Sequence, residues 1–143
     1  MRQDELLADF ELAYNELCRR RRHGRIEPNA DLCLSDDERT LVVTLEIAGA
    51  DPDQLRIALE DRHLIVFGVR EDHERASRGA ILMKEIAYGP FLKRIRLPIA
   101  VNHNGAAASY HDGMLAIRLS VAESARVLSN RTEVKVVVKR ITI

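Results

Sequence analysis

Ser109, His111 and Asp112 carry the side chain types of a serine hydrolase triad and lie close together near the end of the sequence. In such a triad the serine attacks a carbonyl carbon, the histidine accepts the serine's proton, and the carboxylate orients the histidine. All three residues fall on one predicted strand and the turn that follows it. Residues so close along the chain are not placed to form a triad, so we predict no nucleophilic catalysis.

Metal binding is the second chemistry that the sequence could offer. Most of the histidines are scattered along the chain and form no tight cluster: His63, His73, His103 and His111. His103 and His111 flank a loop and could meet there, but a metal site needs three or four ligands, and histidines on surface loops are more often solvated. We therefore predict no metal site.

Phosphate chemistry has no support in the sequence. The chain contains no G-x-x-x-x-G-K-[ST] loop, no G-x-G-x-x-G turn and no G-x-S-x-G elbow. These motifs hold nucleotide phosphates or present a nucleophilic serine. We predict that the protein is not an enzyme, uses no ATP and binds no cofactor.

Length and composition indicate a single globular domain with short tails, since the chain has 143 residues of which 46% are hydrophobic. The first residues lack the apolar core of a signal peptide, and no apolar run approaches the roughly 18 residues that span a membrane. Cys18 and Cys33 form no metal or redox motif. Free thiols in a reducing cytoplasm are the favoured interpretation, with a bridge between the two as the open alternative. We predict a cytoplasmic protein with no membrane partner.

Arg19–Arg22 is the strongest charge cluster, and it raises nucleic-acid binding as an alternative function. Lys and Arg together equal Asp and Glu at 22 each, so the whole chain has no basic excess. No aromatic residues interleave with the arginines to stack on bases. A solvated helix end that matches the helix dipole is the simpler interpretation, and we predict no nucleic-acid partner.

Residues 4–22 have the apolar spacing of an amphipathic helix, with a stripe formed by Leu6, Phe10, Tyr14 and Leu17. Gly24 and Pro28 end it. The rest of the chain offers no second helix as a partner for this stripe. The helix must therefore pack on the remaining domain, pair with another copy, or bind something else.

From residue 30 the apolar period changes from helical to two, which predicts an all-β domain. Strands are expected at 32–34, 41–47, 55–59, 64–69, 91–97, 106–110 and 115–121, with a possible short strand at 81–86. Residues 64–69 are apolar on both faces, as in a covered central strand. Asp112-Gly113 predicts a tight hairpin turn, because both positions of such a turn favour φ above zero.

Several blocks of the chain resemble the α-crystallin domain of small heat-shock proteins, bacterial type. Ala108 followed by Gly113-Met114-Leu115 resembles the family's A-x-x-x-n-G-V-L signature. The segments LEIAGADPDQL (residues 45–55) and YGPFLKRIRLP (residues 88–98) are similar to further family blocks, and Ile141-Thr142-Ile143 resembles the C-terminal I-x-I anchor. The resemblance implies an immunoglobulin-like β-sandwich at 28–121, an N-terminal helical arm at 1–27 and a C-terminal extension at 122–143.

The function that the resemblance implies is an ATP-independent holdase, which binds partly unfolded proteins and limits their aggregation. The helical stripe Leu6, Phe10, Tyr14 and Leu17 supplies the candidate client-binding residues, as an exposed apolar strip. A co-chaperone of the CS-domain type, or another protein-binding sandwich without holdase activity, is the alternative. A monomeric state in solution would favour that alternative.

Self-association is also implied by the resemblance. A strand-exchanged dimer would pair residues 82–85, including Leu82 and Lys84, with the partner's Leu32 and Leu34. Ile141 and Ile143 would anchor higher oligomers by entering a neighbour's groove, lined by Leu55, Ile57, Leu59, Ala108 and Tyr110.

The anchor is expected to hold weakly. Burying each isoleucine gains roughly 1.5–3 kcal/mol, while ordering the tail costs about 1–2 kcal/mol per residue. Exchangeable oligomers would follow, since several anchors must act together. Two alternatives stay open: Val136 and Val138 form a competing pair, or residues 134–143 are simply the last strand of the domain's own sheet.

Overall fold

The computed structural model describes residues 5–20, 26–72, 79–123, 131–134 and 136–138. Its regular elements, in chain order, are α1 (Glu5–Arg20), β1 (Ala30–Leu34), β2 (Thr40–Glu46), a short 3-10 helix (Pro52–Gln54), β3 (Arg56–Glu60), β4 (His63–Arg70), β5 (Gly89–Arg96), β6 (Ala107–His111), β7 (Met114–Ser120), β8 (Arg131–Val134) and β9 (Val136–Val138).

The strands form two sheets that pack face to face. One sheet has the order β1-β2-β7-β6-β9 and the other the order β5-β4-β3-β8. All neighbouring strands are antiparallel except β6 and β9, which run parallel. The predicted all-β sandwich with one N-terminal helix is therefore confirmed.

The core between the sheets follows from the alternation of apolar residues along each strand. On β2 the residues Leu41, Val43 and Leu45 are buried, whereas their neighbours in sequence are partly exposed or fully exposed. Successive side chains of a strand point to opposite faces, so these three share the inner face. They meet the inner residues of β3, β4 and β7, and each such burial gains roughly 1.5–3 kcal/mol.

The β6–β7 hairpin has the predicted turn. Asp112 and Gly113 have φ of 52° and 77°, and His111 pairs with Met114 across the turn. A Cβ placed on Gly113 would lie 3.0 Å from both Cα and Cβ of Ala48. Glycine is required here by the backbone conformation and by the close approach of the β2 end.

β4 is covered on both faces, as its sequence predicts. Leu64 and Val66 face the core between the sheets, whereas Ile65 and Phe67 belong to a second apolar cluster on the outer face. Helix α1 lies over this outer face and completes the cluster with Phe10. The sequence leaves three possible partners open for the helical stripe. In the structure the helix packs on the sheet domain of its own chain.

One possible strand is not formed, and the predicted C-terminal extension contains two strands. Residues 81–86 form no strand in the single chain, because a strand needs a hydrogen-bonding neighbour and none pairs with this segment in the described part of the chain. Residues 131–134 and 136–138, within the predicted C-terminal extension, form β8 and β9 on the domain's own sheets. In these described residues the strands belong to the domain's own sheets, as in one of the alternatives that the sequence leaves open.

Candidate protein-interaction surfaces

A run of apolar side chains projects into solvent between β4 and β5. Ile81, Leu82, Met83 and Ile86 are 55%, 95%, 76% and 59% exposed. We call residues 79–88 the apolar loop. Apolar residues exposed to this extent in one run are unusual for a monomer and are typical of interaction surfaces.

Lys84 has a local role within the apolar loop. Its ammonium group donates to the backbone carbonyl of Ile86 at 3.0 Å and lies 4.2 Å from the centroid of the Tyr88 ring. It is also 3.8 Å from the Asp72 carboxylate. These contacts hold Lys84 against its own loop, while Leu82 remains free to contact another chain.

Strand β1 is an edge strand of its sheet. It pairs with β2 through five residue pairs, from Ala30 with Leu45 to Leu34 with Leu41. In the described ranges no strand pairs with its other side. Leu32 is 42% exposed and Leu34 half-buried, so β1 offers both free backbone groups and apolar side chains. The single chain does not bring β1 and the apolar loop together by strand pairing.

The predicted anchor groove lies between β3 and β6, and the edges of these strands pair with residues 131–134 and 136–138 of the same chain. Val134 pairs with Ile57 on β3, and Val136 pairs with Ala108 on β6. Val134 is only 5% exposed and belongs to the main core. Ile141 and Ile143, the predicted anchor residues, lie outside the described residues.

The residues predicted to line the groove are used in different ways. Ile57 and Leu59 on β3 and Ala108 on β6 are buried beside the paired tail. Leu55 precedes β3 and packs in the core near Gly68, where an added Cβ would lie 2.8 Å from its Cδ2. Leu55 is thus a core residue and does not pair with the tail.

Tyr110 ties the hairpin to the residue that follows the end of β2. Its hydroxyl donates to the backbone carbonyl of Ile47 at 2.9 Å. Burial raises the pKa of the Tyr110 hydroxyl, so the ring stays neutral and keeps its proton for this bond. Tyr110 also pairs with Val138 of β9, so it borders the occupied groove.

The helical stripe is covered by the sheet. Phe10 is fully buried against Ala58, Ile65 and Phe67, and the Arg56 guanidinium lies 4.7 Å from the centroid of its ring. Tyr14 is half-buried beside the same cluster. The side chains of Leu6 and Leu17 lie outside the described residues. The prediction that the stripe is exposed is wrong for Phe10, because the outer face of β3 and β4 is itself apolar.

Sequence reasoning did not assign this outer face to the helix. The face consists of Ala58 on β3 and Ile65 and Phe67 on β4. The apolar character of both faces of β4 was the available signal, since a central strand between a core and a helix needs apolar residues on each side. That signal shows that the face is covered but does not specify which element covers it.

The residues considered for catalysis and metal binding lie apart or serve local contacts. His111 Nε2 lies 3.0 Å from a carboxylate oxygen of Asp112, the next residue. His103 is buried, with Nε2 3.2 Å from the carbonyl oxygen of Asp61. Across the described residues no group of three or more His, Cys, Asp or Glu is arranged to hold a metal ion.

Comparison with known proteins identifies the family. The model of the Hsp20/alpha crystallin family matches residues 34–138, well over half of the sequence. The chain belongs to the Hsp20/alpha crystallin family. The matched range begins in β1 and ends with β9, so it includes the tail strands that pair with β3 and β6.

Curated relatives of this Hsp20 family member include bacterial heat shock proteins. The chain is 27% identical over 101 residues to small heat shock protein C4 of Rickettsia felis, covering 71% of this chain and 61% of that protein. It is 29% identical over 96 residues to the 18 kDa heat shock protein of Streptomyces albus G, covering 67% and 66%. The match thus spans less than two thirds of either relative.

Solved structures of other proteins share the fold. Heat shock protein 16.0 of Schizosaccharomyces pombe superposes with a TM-score of 0.63 at 18% identity, covering 83% of this chain and 99% of that one. The hspA protein of Xanthomonas axonopodis superposes with a TM-score of 0.62 at 24% identity, covering 71% of this chain and 100% of that one.

Helix α1 is the one α-helix among the described residues, and it is not long and apolar enough to cross a membrane.

Proposed function

We propose that this Hsp20 family member is an ATP-independent holdase of the cytoplasm, which binds partly unfolded proteins and limits their aggregation. Family membership supports the chaperone class. The apolar loop is the observation that carries the proposal. A domain with a well-filled core nevertheless presents a run of large apolar side chains to solvent, among them Leu82 and Met83. Such a surface binds other chains.

The first partner is a second copy of the chain. Residues 82–85 of one copy pair with β1 of the other, so that Leu82 is covered beside Leu32 and Leu34. Two observations support this pairing: the loop lacks strand partners in the described chain, and β1 is an edge with one side free. An exposed strand edge is a template for pairing with another chain. Mutual exchange would use both features at once.

Client binding uses apolar surface that helix α1 now covers. When the helix leaves the sheet, Phe10 and Tyr14 on the helix and Phe67 on the outer face become available to unfolded segments. Leu6 and Leu17 extend the same helical stripe in sequence. The helix is therefore both a cover for the sheet and a source of client-binding residues.

Higher assembly uses Ile141 and Ile143 as anchors in a neighbouring copy. The β3–β6 groove is available to a neighbour only where its own tail has moved. The proposed activity needs no catalytic residue, nucleotide or metal, because binding exposed apolar segments is sufficient. The exposed free thiol of Cys33 suits a reducing compartment such as the cytoplasm.

Light scattering of a heat-denatured enzyme, such as citrate synthase, tests the holdase directly. The chaperone is added at equal mass without nucleotide, and an equal mass of a folded unrelated protein serves as control. Suppressed scattering with this protein alone supports the proposal. Scattering equal to the control, while circular dichroism shows that the β-sandwich is still folded, would refute holdase activity and favour a partner-binding role.

A further inference from the structure

Strand β5 lies at an edge of its sheet, because it pairs with β4 on one side and with no strand of the described ranges on the other. Alternate residues of an antiparallel strand form the hydrogen bonds to a given neighbour. Leu97 donates its backbone N–H to the carbonyl of Arg62 at 2.7 Å, so every second residue back from Leu97 bonds toward β4. The residues between them, Leu92, Arg94 and Arg96, direct their backbone groups to the open side.

The beginning of this edge is closed by proline. Pro90 lies two residues before Leu92 and therefore has its nitrogen on the open side of β5. Proline has no N–H to donate to a neighbouring strand, and it occurs in sheets mainly on edge strands. We call residues 92–96, the part of the edge that can accept a strand, the β5 edge.

Uncompensated positive charge lies along the β5 edge. Arg94 and Arg96 are exposed, and neither is joined to a carboxylate in the described part of the chain. They share the outer face of the sheet, with their Cα atoms roughly 6.6 Å apart, because they are two residues apart on a strand. Burial and then the charges of these two arginines lower the pKa of His63, the register partner of Arg96 on β4.

Helix α1 leaves both arginines uncovered. The helix packs beside Leu92, which is half-buried against the cluster that contains Phe10. Further along β5 the side chains of Arg94 and Arg96 are exposed, while Ile95 between them faces the core and is 9% exposed. The β5 edge therefore offers an arginine, a core-facing isoleucine and a second arginine in succession.

A second copy of the chain does not suit this edge. Antiparallel pairing of two β5 strands about Ile95 would place Arg94 directly opposite the partner's Arg96, and like charges in that position are destabilising. Charged residues on an edge strand prevent such pairing between copies. A strand that carries carboxylates at the same positions is attracted instead, since arginine binds a carboxylate through two parallel N–H···O bonds.

We propose that the β5 edge binds an acidic extended segment of another protein, which joins the sheet as an additional antiparallel strand. Two acidic residues separated by one apolar residue would meet Arg94 and Arg96 on the outer face and Ile95 at the margin of the core. Main-chain hydrogen bonds supply affinity in this mode of recognition, and alternate side chains supply specificity. The β5 edge is separate from the apolar loop and the helical stripe, so this proposal can hold or fail independently of holdase activity.

Binding of a fluorescent peptide, measured by anisotropy with the full-length protein and no client, tests the charge requirement. The probe has glutamate–valine–glutamate at its centre and serine and threonine elsewhere, and its control has lysine in place of glutamate. Arg94→Gln/Arg96→Gln should weaken binding of the glutamate peptide about tenfold, because two opposite-charge pairs are lost. Arg118→Gln, at an exposed arginine on β7, should leave binding unchanged. Arg94→Glu/Arg96→Glu should prefer the lysine peptide.

N-methylated peptides test the strand pairing. In the proposed antiparallel register the two glutamates lie opposite Arg94 and Arg96, so their N–H groups point to β5, whereas the N–H of the central valine points away. Methylating both glutamate nitrogens should weaken binding at least about tenfold. Methylating the valine nitrogen, the matched control, should change affinity by less than about threefold. Equal loss for both methylated peptides would overturn strand addition.

The ring of His63 reports whether the peptide lies at this edge. Carboxylates held at Arg94 and Arg96 offset two charges that oppose protonation, so saturating glutamate peptide should raise the pKa of His63 in an NMR titration. Asp61 already raises this pKa, and Glu60 is the register partner of His63 on β3; both are present with and without peptide. An unchanged pKa at saturation would place the peptide elsewhere and overturn the proposal.

Three further outcomes would also overturn the proposal. The first is failure of the glutamate peptide to bind the natural protein, which would leave the arginines only the role of guarding the edge. The second is displacement of the peptide by single-stranded oligothymidylate at a lower concentration than unlabelled peptide, which would assign the arginines to phosphate polyanions. The third is a smaller assembly of Arg94→Gln/Arg96→Gln in analytical ultracentrifugation, which would assign the edge to a second copy. Circular dichroism and cooperative unfolding confirm that each variant is folded.

Discussion

The rings of Phe10 and Phe67 lie 6.2 Å apart between centroids, with their planes tilted by 52°. Tilted aromatic pairs at this distance are favourable beyond the area that they bury. The pair joins helix α1 to the outer face of β4, and the Arg56 guanidinium lies 4.7 Å from the centroid of the Phe10 ring. In this state the helix hides the apolar surfaces that client binding would require.

Replacing Phe10 tests this attachment. Phe10→Ala should remove about 3 kcal/mol or more of helix docking, because a large buried aromatic is truncated. The helix should then exchange its amide hydrogens faster, and a dye such as bis-ANS should bind the uncovered sheet face. Leu12→Ala is the matched control, since Leu12 is 67% exposed on the same helix and its loss should change stability by about 0.5 kcal/mol or less.

The two variants also distinguish two roles of Phe10: covering the sheet face, or contacting clients itself. If the sheet face binds clients, Phe10→Ala suppresses client scattering at lower chaperone ratios than the natural protein. If Phe10 itself provides the essential contact, suppression is lost although the sandwich remains folded. No difference between Phe10→Ala and Leu12→Ala in dye binding or hydrogen exchange would contradict the packing of Phe10 on Phe67.

The local parts of the fold were predictable from the sequence. Asp112-Gly113 determines a hairpin because its φ values are accessible to glycine and tolerated by aspartate. The alternation of Leu41, Val43 and Leu45 identifies both a strand and its buried face. Each of these signals is contained within a few residues, so no knowledge of distant partners is needed.

The remaining features depend on distant partners. Val134 and Val136 have the pattern of a strand. Which strands they pair with depends on which strands lie at the sheet edges, and these are β3 and β6. Residues 81–86 have strand-like composition and yet form no strand, since backbone pairing requires a neighbour. The apolar stripe on helix α1 indicates a covered surface, but only the folded sheet shows that Phe67 covers it.

The hairpin turn gives a second prediction. Gly113→Ala should destabilise the protein by about 1–2 kcal/mol through the positive φ of 77° alone. The contact of the new methyl with Ala48 adds to this cost. Gly79→Ala is the control, because no atom lies within 4 Å of the added Cβ and its φ is not in the left-handed region. Urea unfolding measures both, and equal stability of the two variants would contradict the turn geometry.

The apolar loop gives a third prediction, on self-association. Leu82→Asp should shift the protein from dimer to monomer in analytical ultracentrifugation, since a charge would be buried where 95% of Leu82 is now solvated. Stability of the isolated domain should stay within about 0.5 kcal/mol. Leu12→Asp, at another exposed leucine, should leave the dimer intact. A dimer that survives Leu82→Asp would exclude this loop as the exchange element.

Acid sensitivity through His63 is the fourth prediction. Burial first, then the charges of Arg94 and Arg96, lower the pKa of His63 below its ordinary value of 6.5. The unfolded chain then binds a proton more readily than the folded one. The contribution of neutral His63 to stability is fully present above about pH 6.5 and is lost as pH falls from there through the folded pKa.

The free energy of unfolding of His63→Asn should therefore depend less on pH, in the range between the ordinary pKa of histidine and the lowered pKa of His63. Urea unfolding at a series of pH values measures this dependence. Arg94→Gln/Arg96→Gln should raise the pKa of His63 in an NMR titration, because it removes two positive charges that oppose protonation. Burial remains the larger cause, so the pKa should stay below 6.5 even in that variant. A pKa at or above the ordinary value in the natural protein would contradict the partial burial of the ring. An unchanged pKa in the double variant would contradict the influence of the arginines.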